Sequence, residues 1–293
     1  MTLRAAAAAI ALGACGSSGD AGSDAAVCTH TPGAPIAVGA ITGAATSELS
    51  GLAASRTLDG VLWTHGDGGD AVIYAINASN AAVRGTLRLP GAHAVDWEDI
   101  ATAPCPAGTC IYIADTGDNE LDRTEVAVFE IAEPAAAPIG AVDTAFTAYA
   151  VAYPDGPHNI EALFVDPRDG TAYGIVKLAA ARTSVWALPR VAGAVATAVH
   201  VGELTIPSAD PRVTAADMAV DACAARILVR SHDALYELRG AAAATVPELL
   251  TAGLATLPVA SEPQGEAAGY AVDGSAYFTT SEGAAPPLYR VAD

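Results

Sequence analysis

The sequence predicts an all-β fold, a β-propeller of five four-stranded blades, and three observations carry that prediction. One six-residue pattern recurs five times. It reads Glu48-Leu49-Ser50-Gly51-Leu52-Ala53, Asp96-Trp97-Glu98-Asp99-Ile100-Ala101, Asn159-Ile160-Glu161-Ala162-Leu163-Phe164, Thr214-Ala215-Ala216-Asp217-Met218-Ala219 and Gln264-Gly265-Glu266-Ala267-Ala268-Gly269. The copies stand roughly fifty to sixty residues apart, the range of repeat architectures. Between them, Gly, Pro, Asp and Asn turns separate short apolar runs of strand length. Finally, the last repeat ends one strand short, while an unclaimed apolar run at 36–41 precedes the first repeat. Strand exchange between the two ends closes the ring and removes an exposed edge. A β-sandwich is the alternative, but it leaves five like-spaced copies of one motif unexplained.

Taken in order, repeat one predicts strands at 49–53, 61–65, 72–77 and 82–89, with turns at Asp59-Gly60, 66–70 and 77–80. Repeat two predicts strands at 98–102, 110–114, 125–131 and 145–152, the last after a Pro/Ala-rich connection. Repeat three gives 161–165, 171–176, 183–188 and 196–206; repeat four gives 215–220, 226–231, 234–238 and 248–257. Repeat five gives 267–272, 275–280 and 287–291, and the run at 36–41 supplies its fourth strand. Helical periodicity is weak throughout, and the alanine clusters near 180 and 241 read as loops or short turns.

The beginning predicts export. Residues 1–15 hold Arg4, an apolar run and Leu12-Gly13-Ala14-Cys15, which resembles a bacterial lipoprotein signal with Cys15 as the lipid-bearing residue. A plain secretory peptide is the alternative. The run is too short to span a bilayer as a helix. Residues 16–33 follow as a flexible Gly/Ser/Ala/Asp tether, and 34–293 form the propeller domain. Outside the cytoplasm disulfides persist. Cys105 and Cys110 bracket a tight turn and predict a local bridge; Cys28 and Cys223 are left as a second pair, or as two free thiols.

The formal charge is −19, and Lys177 is the only lysine. Such a chain is repelled by nucleic-acid phosphates and by anionic membranes, so nucleic acid is excluded as a partner and the membrane is reached only through the lipid anchor. A monomer is expected.

In a propeller the first strand of each blade lines the central channel, so equivalent positions of the motif form rings. One ring is Glu48, Asp96, Asn159, Thr214 and Gln264; the next is Ser50, Glu98, Glu161, Ala216 and Glu266. Carboxylates about 5 Å apart repel by roughly 3 kcal/mol per pair at an effective dielectric near 20. Glu48, Asp96, Glu98, Glu161 and Glu266 therefore need a cation, shared protons or water. Hard oxygen donors without His or Cys favour Ca2+ over zinc. The alternative is a water-filled channel whose acids bond backbone amides of neighbouring blades.

A second constellation lies where the second strands end. The loops at 65–70 and 114–119 align without a gap, and Asp67, Asp70, Asp115, Asp118 and Asn119 are candidate ligand-binding residues at the channel mouth. Turn chemistry explains the same residues, since Asp and Gly accept unusual backbone angles. Lys177 and Arg230 occupy comparable positions in repeats three and four. Lys177 either holds an anionic ligand group or pairs with Glu161. His158, just before the third motif, either reaches the mouth as a general base or has no role. No nucleophile elbow, metalloprotease motif or phosphate loop is present.

The motif series, together with Asp115, Lys177 and Ser281-Glu282 at second-strand ends, resembles the SdiA-regulated family of exported β-propellers. The likeness extends more loosely to secreted propellers of the esterase-like phytase type. It covers most of 48–291, and repeat four departs from it at Ala216. The resemblance implies the propeller fold and adds Glu282 to the candidate ligand-binding set; the family carries no settled activity.

The expected function is that of an exported, lipid-anchored propeller binding a ligand or partner, with Ca2+ in its channel. A calcium-dependent hydrolase of phosphoesters, esters or lactones is one alternative. A surface scaffold without a small ligand is another.

Overall fold

The computed structural model describes residues 30–43 and 48–293, so the signal, Cys15, Cys28 and most of the tether lie outside the described residues. The described chain forms five sheets arranged as the five blades of a β-propeller. An N-terminal strand β1 (Ile36–Ala40) precedes blade one, which comprises β2 (Leu49–Ala54), β3 (Val61–Gly66), β4 (Val72–Asn77) and β5 (Val83–Arg88). Blade two comprises β6 (Trp97–Cys105), β7 (Gly108–Asp115), β8 (Val126–Ala132) and β10 (Thr147–Ala152), with β9 (Gly140–Asp143) lying between the last two in sequence. Blade three is β11 (Ile160–Val165), β12 (Ala172–Val176), β13 (Arg182–Leu188) and, after β14 (Ala196–Thr197), β15 (Val199–Thr205). Blade four is β16 (Val213–Val220), β17 (Ala225–Ser231), β18 (Leu235–Gly240) and, after the helix α1 (Val246–Leu250), β19 (Ala255–Leu257). Blade five is β20 (Gly265–Tyr270), β21 (Ala276–Ser281) and β22 (Pro287–Ala292).

Closure follows the expectation. β1 pairs antiparallel with β22, aligning Ile36 with Arg290 and Ala40 with Pro287. The Gly33 and Ile41 amides extend this pairing to Ala292 and Pro286 carbonyls. Gly39 is required there, because a Cβ would lie 2.2 Å from the Asn80 carbonyl oxygen. Ile41 is fully buried against Leu288 and Ala81, so the exchanged strand also anchors blade one to blade five.

The core is divided into five hydrophobic clusters, one at each seam between blades. Trp63 meets Trp97 and Phe129 between blades one and two; Tyr112 and Val128 meet Leu163 and Trp186 between two and three. Phe164 meets Met218 and Ile227 between three and four, Leu228 meets Tyr270 and Tyr277 between four and five, and Leu52 meets Phe278 and Leu288 at the closing seam. The inner strands β2, β11 and β20 are buried along their whole length. Their small residues answer crowding near the axis: a Cβ on Gly269 would lie 2.3 Å from the Leu52 carbonyl oxygen. Abundant alanine and glycine are thus a requirement of five strands converging on one line.

Three details differ from the sequence expectation. The connection within repeat two carries β9, which joins blade one parallel to β5. Similarly, the predicted strand 196–206 divides, and β14 joins blade two parallel to β10 while β15 stays with blade three. Both are cross-blade pairings that no local pattern encodes. The predicted strand 248–257 begins instead as helix α1, because Glu248 accepts the Thr245 amide at 2.8 Å in a capping box and Pro247 occupies the first turn. Among the described residues no helix is long and apolar enough to cross a membrane.

The Cys105–Cys110 bridge is present across the β6–β7 hairpin. Cys223 is disulfide-bonded, and its expected partner Cys28 lies outside the described residues.

Candidate functional site

Every inner strand carries a β-bulge at the repeated motif, and these bulges build the site. The register against the second strand shifts at Leu49/Gly51, Trp97/Ile100, Ile160/Ala162, Val213/Ala215 and Gly265/Ala267. A bulge leaves one residue unpaired and re-aims its side chain. The residues so placed are Ser50, Glu98, Glu161, Thr214 and Glu266. Repeat four is therefore in register two residues earlier than its sequence alignment implies. Thr214 belongs to the inner ring in place of Ala216, and Arg212 joins Glu48, Asp96, Asn159 and Gln264 in the outer ring.

The inner ring is buried and short of compensation. Glu161, 3% exposed, accepts a hydrogen bond from Asn159 Nδ2 at 3.0 Å and pairs with the Lys177 ammonium. Glu266, also 3% exposed, accepts from Gln264 Nε2 at 2.7 Å, with His232 Nε2 at 3.4 Å. Glu98 is 6% exposed and accepts no hydrogen bond from the described residues. Burial raises all three carboxyls above the usual range, Glu98 strongly and with Glu161 and Asp96 adding to the effect. Glu266 is pushed up to about 7. Burial also opposes the Lys177 charge, but Glu161, Glu266 and Glu98 outweigh it and raise its pKa.

Deeper in the channel, two acids do what the water-filled alternative expected of the ring. Fully buried Asp99 accepts the Ile100 amide on one oxygen and the Leu163 and Ala216 amides on the other, at 2.8, 2.8 and 2.9 Å. It thereby ties the inner strands of blades two, three and four. Asp217 accepts Met218 and Tyr270 amides, both at 2.8 Å, and burial pushes its carboxyl up to about 6. Neither was a candidate site residue. Both stand fourth in the six-residue motif of their repeats, and an acid at that place in repeats two and four is the signal that marks them.

Of the acids predicted at the mouth, Asp115 and Asp118 are committed to the loop itself. Asp115 accepts the Val95 and Asp96 amides and Arg123 Nη2; Asp118 accepts the Asp122 and Arg123 amides. Asp67 and Glu282 carry raised pKa values through burial and mutual repulsion with Glu48, which places these three on one acidic arc. Asp70 lies apart, lining a cleft with Arg88 and Asp143 on the outer face. Arg230 is sealed between blades, 1% exposed and bonded to buried Glu262 at 2.6 Å, so it does not open to the mouth.

Asn119 and Lys177 line a cavity of about 360 Å³ at the mouth, together with Leu121, His158, Leu178 and Arg212. Asn159 Nδ2 donates to Asn119 Oδ1 at 3.2 Å and closes its inner wall. Among the described residues no carboxylate lines this cavity. Arg212 is clasped from outside by Asp210, which engages Nε and one terminal nitrogen and leaves Nη1 free of that contact. His158 Nε2 is 2.9 Å from Asp155 Oδ1, and its ring packs on Trp186. Larger clefts of about 440–530 Å³ lie elsewhere, at the closing seam and on the outer face of blade one, and hold side chains of both charges.

The donor set tests the expected Ca2+. Among the described residues no group of three His, Cys, Asp or Glu side chains is gathered as a ligand set. An ammonium already stands among Glu161, Glu266 and Glu98. Glu161 and Glu266 are thus already engaged, by Lys177, Asn159 and Gln264. Asp96 and Glu98 remain the pair with oxygens to spare: a Cβ on Gly117 would meet Glu98 Oε1 at 2.1 Å and Asp96 Oδ2 at 2.4 Å.

No protein-family model matches this chain, and no curated protein matches it. Among solved structures, it is similar to a chain in the crystal structure of the mitotic checkpoint complex, at 14% identity and a TM-score of 0.39, covering 83% of this chain and 61% of that one. That likeness is too remote to bear on activity. The propeller that the family resemblance implied is present; the family assignment itself is not shown.

Proposed function

We propose that this protein is an exported propeller, anchored through Cys15, that binds a small anionic ligand in the mouth cavity. Lys177 and Arg212 hold the anion. The observation that carries this reading is the composition of the cavity wall. In a chain of net charge −19, the cavity presents Lys177, Arg212 and His158 and, among the described residues, no carboxylate. Each of the two permanent cations has donors left after its structural contact: Lys177 Nζ carries three and gives one to Glu161, and Arg212 keeps Nη1. Partial desolvation strengthens such charge-assisted bonds. Membership of the SdiA-regulated family is part of the same proposal and rests on the motif series.

The test is thermal melting of the mature chain against a panel of small carboxylates and phosphates. At least one anion should raise Tm in the unmodified chain, and Arg212→Gln should abolish the gain. No stabilisation by any anion overturns the reading and leaves the surface scaffold.

Calcium is a second reading, favoured by Glu98, which is buried without a hydrogen-bond donor among the described residues and faces Asp96 across Gly117. Asp96 and Glu98 would hold the ion, which would neutralise their charge. If calcium raises Tm in the unmodified chain and not in Glu98→Gln, the pair is its site; equal melting with calcium and with chelator rejects it. The hydrolytic alternative depends on the same ion, since its nucleophile would be a metal-activated water.

A further inference from the structure

We infer that the ligand is amphiphilic, an anion carrying an apolar chain, and that Leu121 and Leu178 form the lip that receives the chain. The inference rests on the mouth cavity as the anion site and adds the class of molecule bound there. Leu121 is its main support. Leu121 has φ +55°, in the left-handed region that bulky side chains avoid, and is nonetheless 55% exposed. Neither feature is bland when the two coincide, because a glycine or asparagine would satisfy the turn without strain and without exposing apolar surface.

The loop holds Leu121 there by force of its hydrogen bonds. Asp118 accepts the Asp122 and Arg123 amides at 3.0 Å each, and the Asp118 carbonyl accepts the Leu121 amide at 3.1 Å. Arg123 Nη1 closes the turn onto the Gly117 carbonyl at 2.7 Å. An over-determined backbone that displays a strained residue beside a cavity is the usual mark of a functional position. Leu178, 41% exposed and next in sequence to Lys177, lines the same cavity, as does Pro157. Lys177, whose side chain is 20% exposed, lines the same cavity as the more exposed Leu121 and Leu178, and this pairing describes a site for a charged head with a chain lying outward. The volume, about 360 Å³, is near the lower end of the roughly 300–1,000 Å³ of small-ligand sites. Straight-chain carboxylates are the simplest probes of this chemistry.

The experiment is calorimetric titration of the mature chain with acetate, butanoate, hexanoate and octanoate below their micelle concentrations, with octanol as the uncharged control. Affinity should rise about threefold to fourfold for each methylene that reaches the lip, and octanol should bind far more weakly than octanoate. Leu121→Gly relieves the backbone strain, so the fold is not at risk. It should weaken octanoate at least fivefold more than it weakens acetate. Lys177→Gln should weaken every carboxylate alike. If the carboxylates bind with no dependence on chain length, or if Leu121→Gly spares octanoate, the lip is refuted while the anion site stands. If octanol binds as well as octanoate, no charged head is recognised and the inference fails. If none of the probes binds, the anion site fails and the lip with it.

Discussion

Glu266 is buried beside Gln264 and His232, and its carboxyl titrates near 7 because burial disfavours the anion. Its folded pKa lies above its unfolded one, so between about 4.5 and 7 the folded state binds the extra proton. Stability from this group is present at pH 4.5 and is lost as pH rises through 7. Glu266→Gln should therefore raise Tm at pH 8 and change it little at pH 5, an effect on the order of 1–3 kcal/mol. Melting curves at the two pH values check it, and an equal shift at both would contradict the assignment. Glu161 has a pKa raised by burial as well, but differs in its partner. Its charge is matched by Lys177, so Glu161→Gln leaves a half-buried ammonium without its partner. The expected loss is about 1–3 kcal/mol with chelator present, less than for a wholly buried pair because Lys177 keeps some contact with water. Urea unfolding of the variant measures it.

At the scale of elements, the bulge at the start of each inner strand does more for the site than any individual residue. It turns Glu98, Glu161 and Glu266 out of the ladder towards the axis. The exchanged strand β1 does the corresponding work for the ring. Its Gly39 passes so close to Asn80 that Gly39→Ala should cost about 1–3 kcal/mol, since backbone must move to admit the methyl group. Deleting 36–41 removes four paired positions with β22 together with Ile41 from the closing seam. That truncated chain should show a large drop in Tm, and melting like the intact mature chain would show that the ends do not depend on one another. The pairings of β9 and β14 with foreign blades are additional ties of the same kind, made by connections instead of termini.

For the whole molecule, stability is distributed around five seams, and Asp99 is where three blades meet. Asp99→Ala would strand three buried amides, at about 1–3 kcal/mol for each group left without an acceptor. It should be the most damaging single change among the channel acids, and because the affected strands belong to three different blades the loss should appear in one cooperative transition. Differential calorimetry distinguishes that from piecemeal melting. Asp99 and Asp217 also tie neighbouring blades by accepting buried amides of their inner strands.

The order of strands, the number of blades and their closure were legible in the chain because each depends on a local, repeated signal. Five motif copies, turn residues between apolar runs and a spare strand at the beginning are all readable without contacts. The bridge between Cys105 and Cys110 was legible for the same reason, being confined to one hairpin. What the tertiary structure decided were matters of register and of partners distant in sequence. Whether Thr214 or Ala216 enters the ring depends on a one-residue bulge against β17, and the repeat pattern in blade four tolerates either alignment. With that register unknown, Arg212 could not be placed beside Lys177. Arg230 read as a mouth residue from its strand position, yet Glu262, 32 residues away, draws it into a seam. The pairing of Lys177 with Glu161 was legible as one of two readings of that lysine, whereas its closeness to Glu266 and Glu98 is set by packing. Periodicity is a property of the chain and survives without coordinates, whereas the pairing of a charge is set by whichever strand the fold lays beside it.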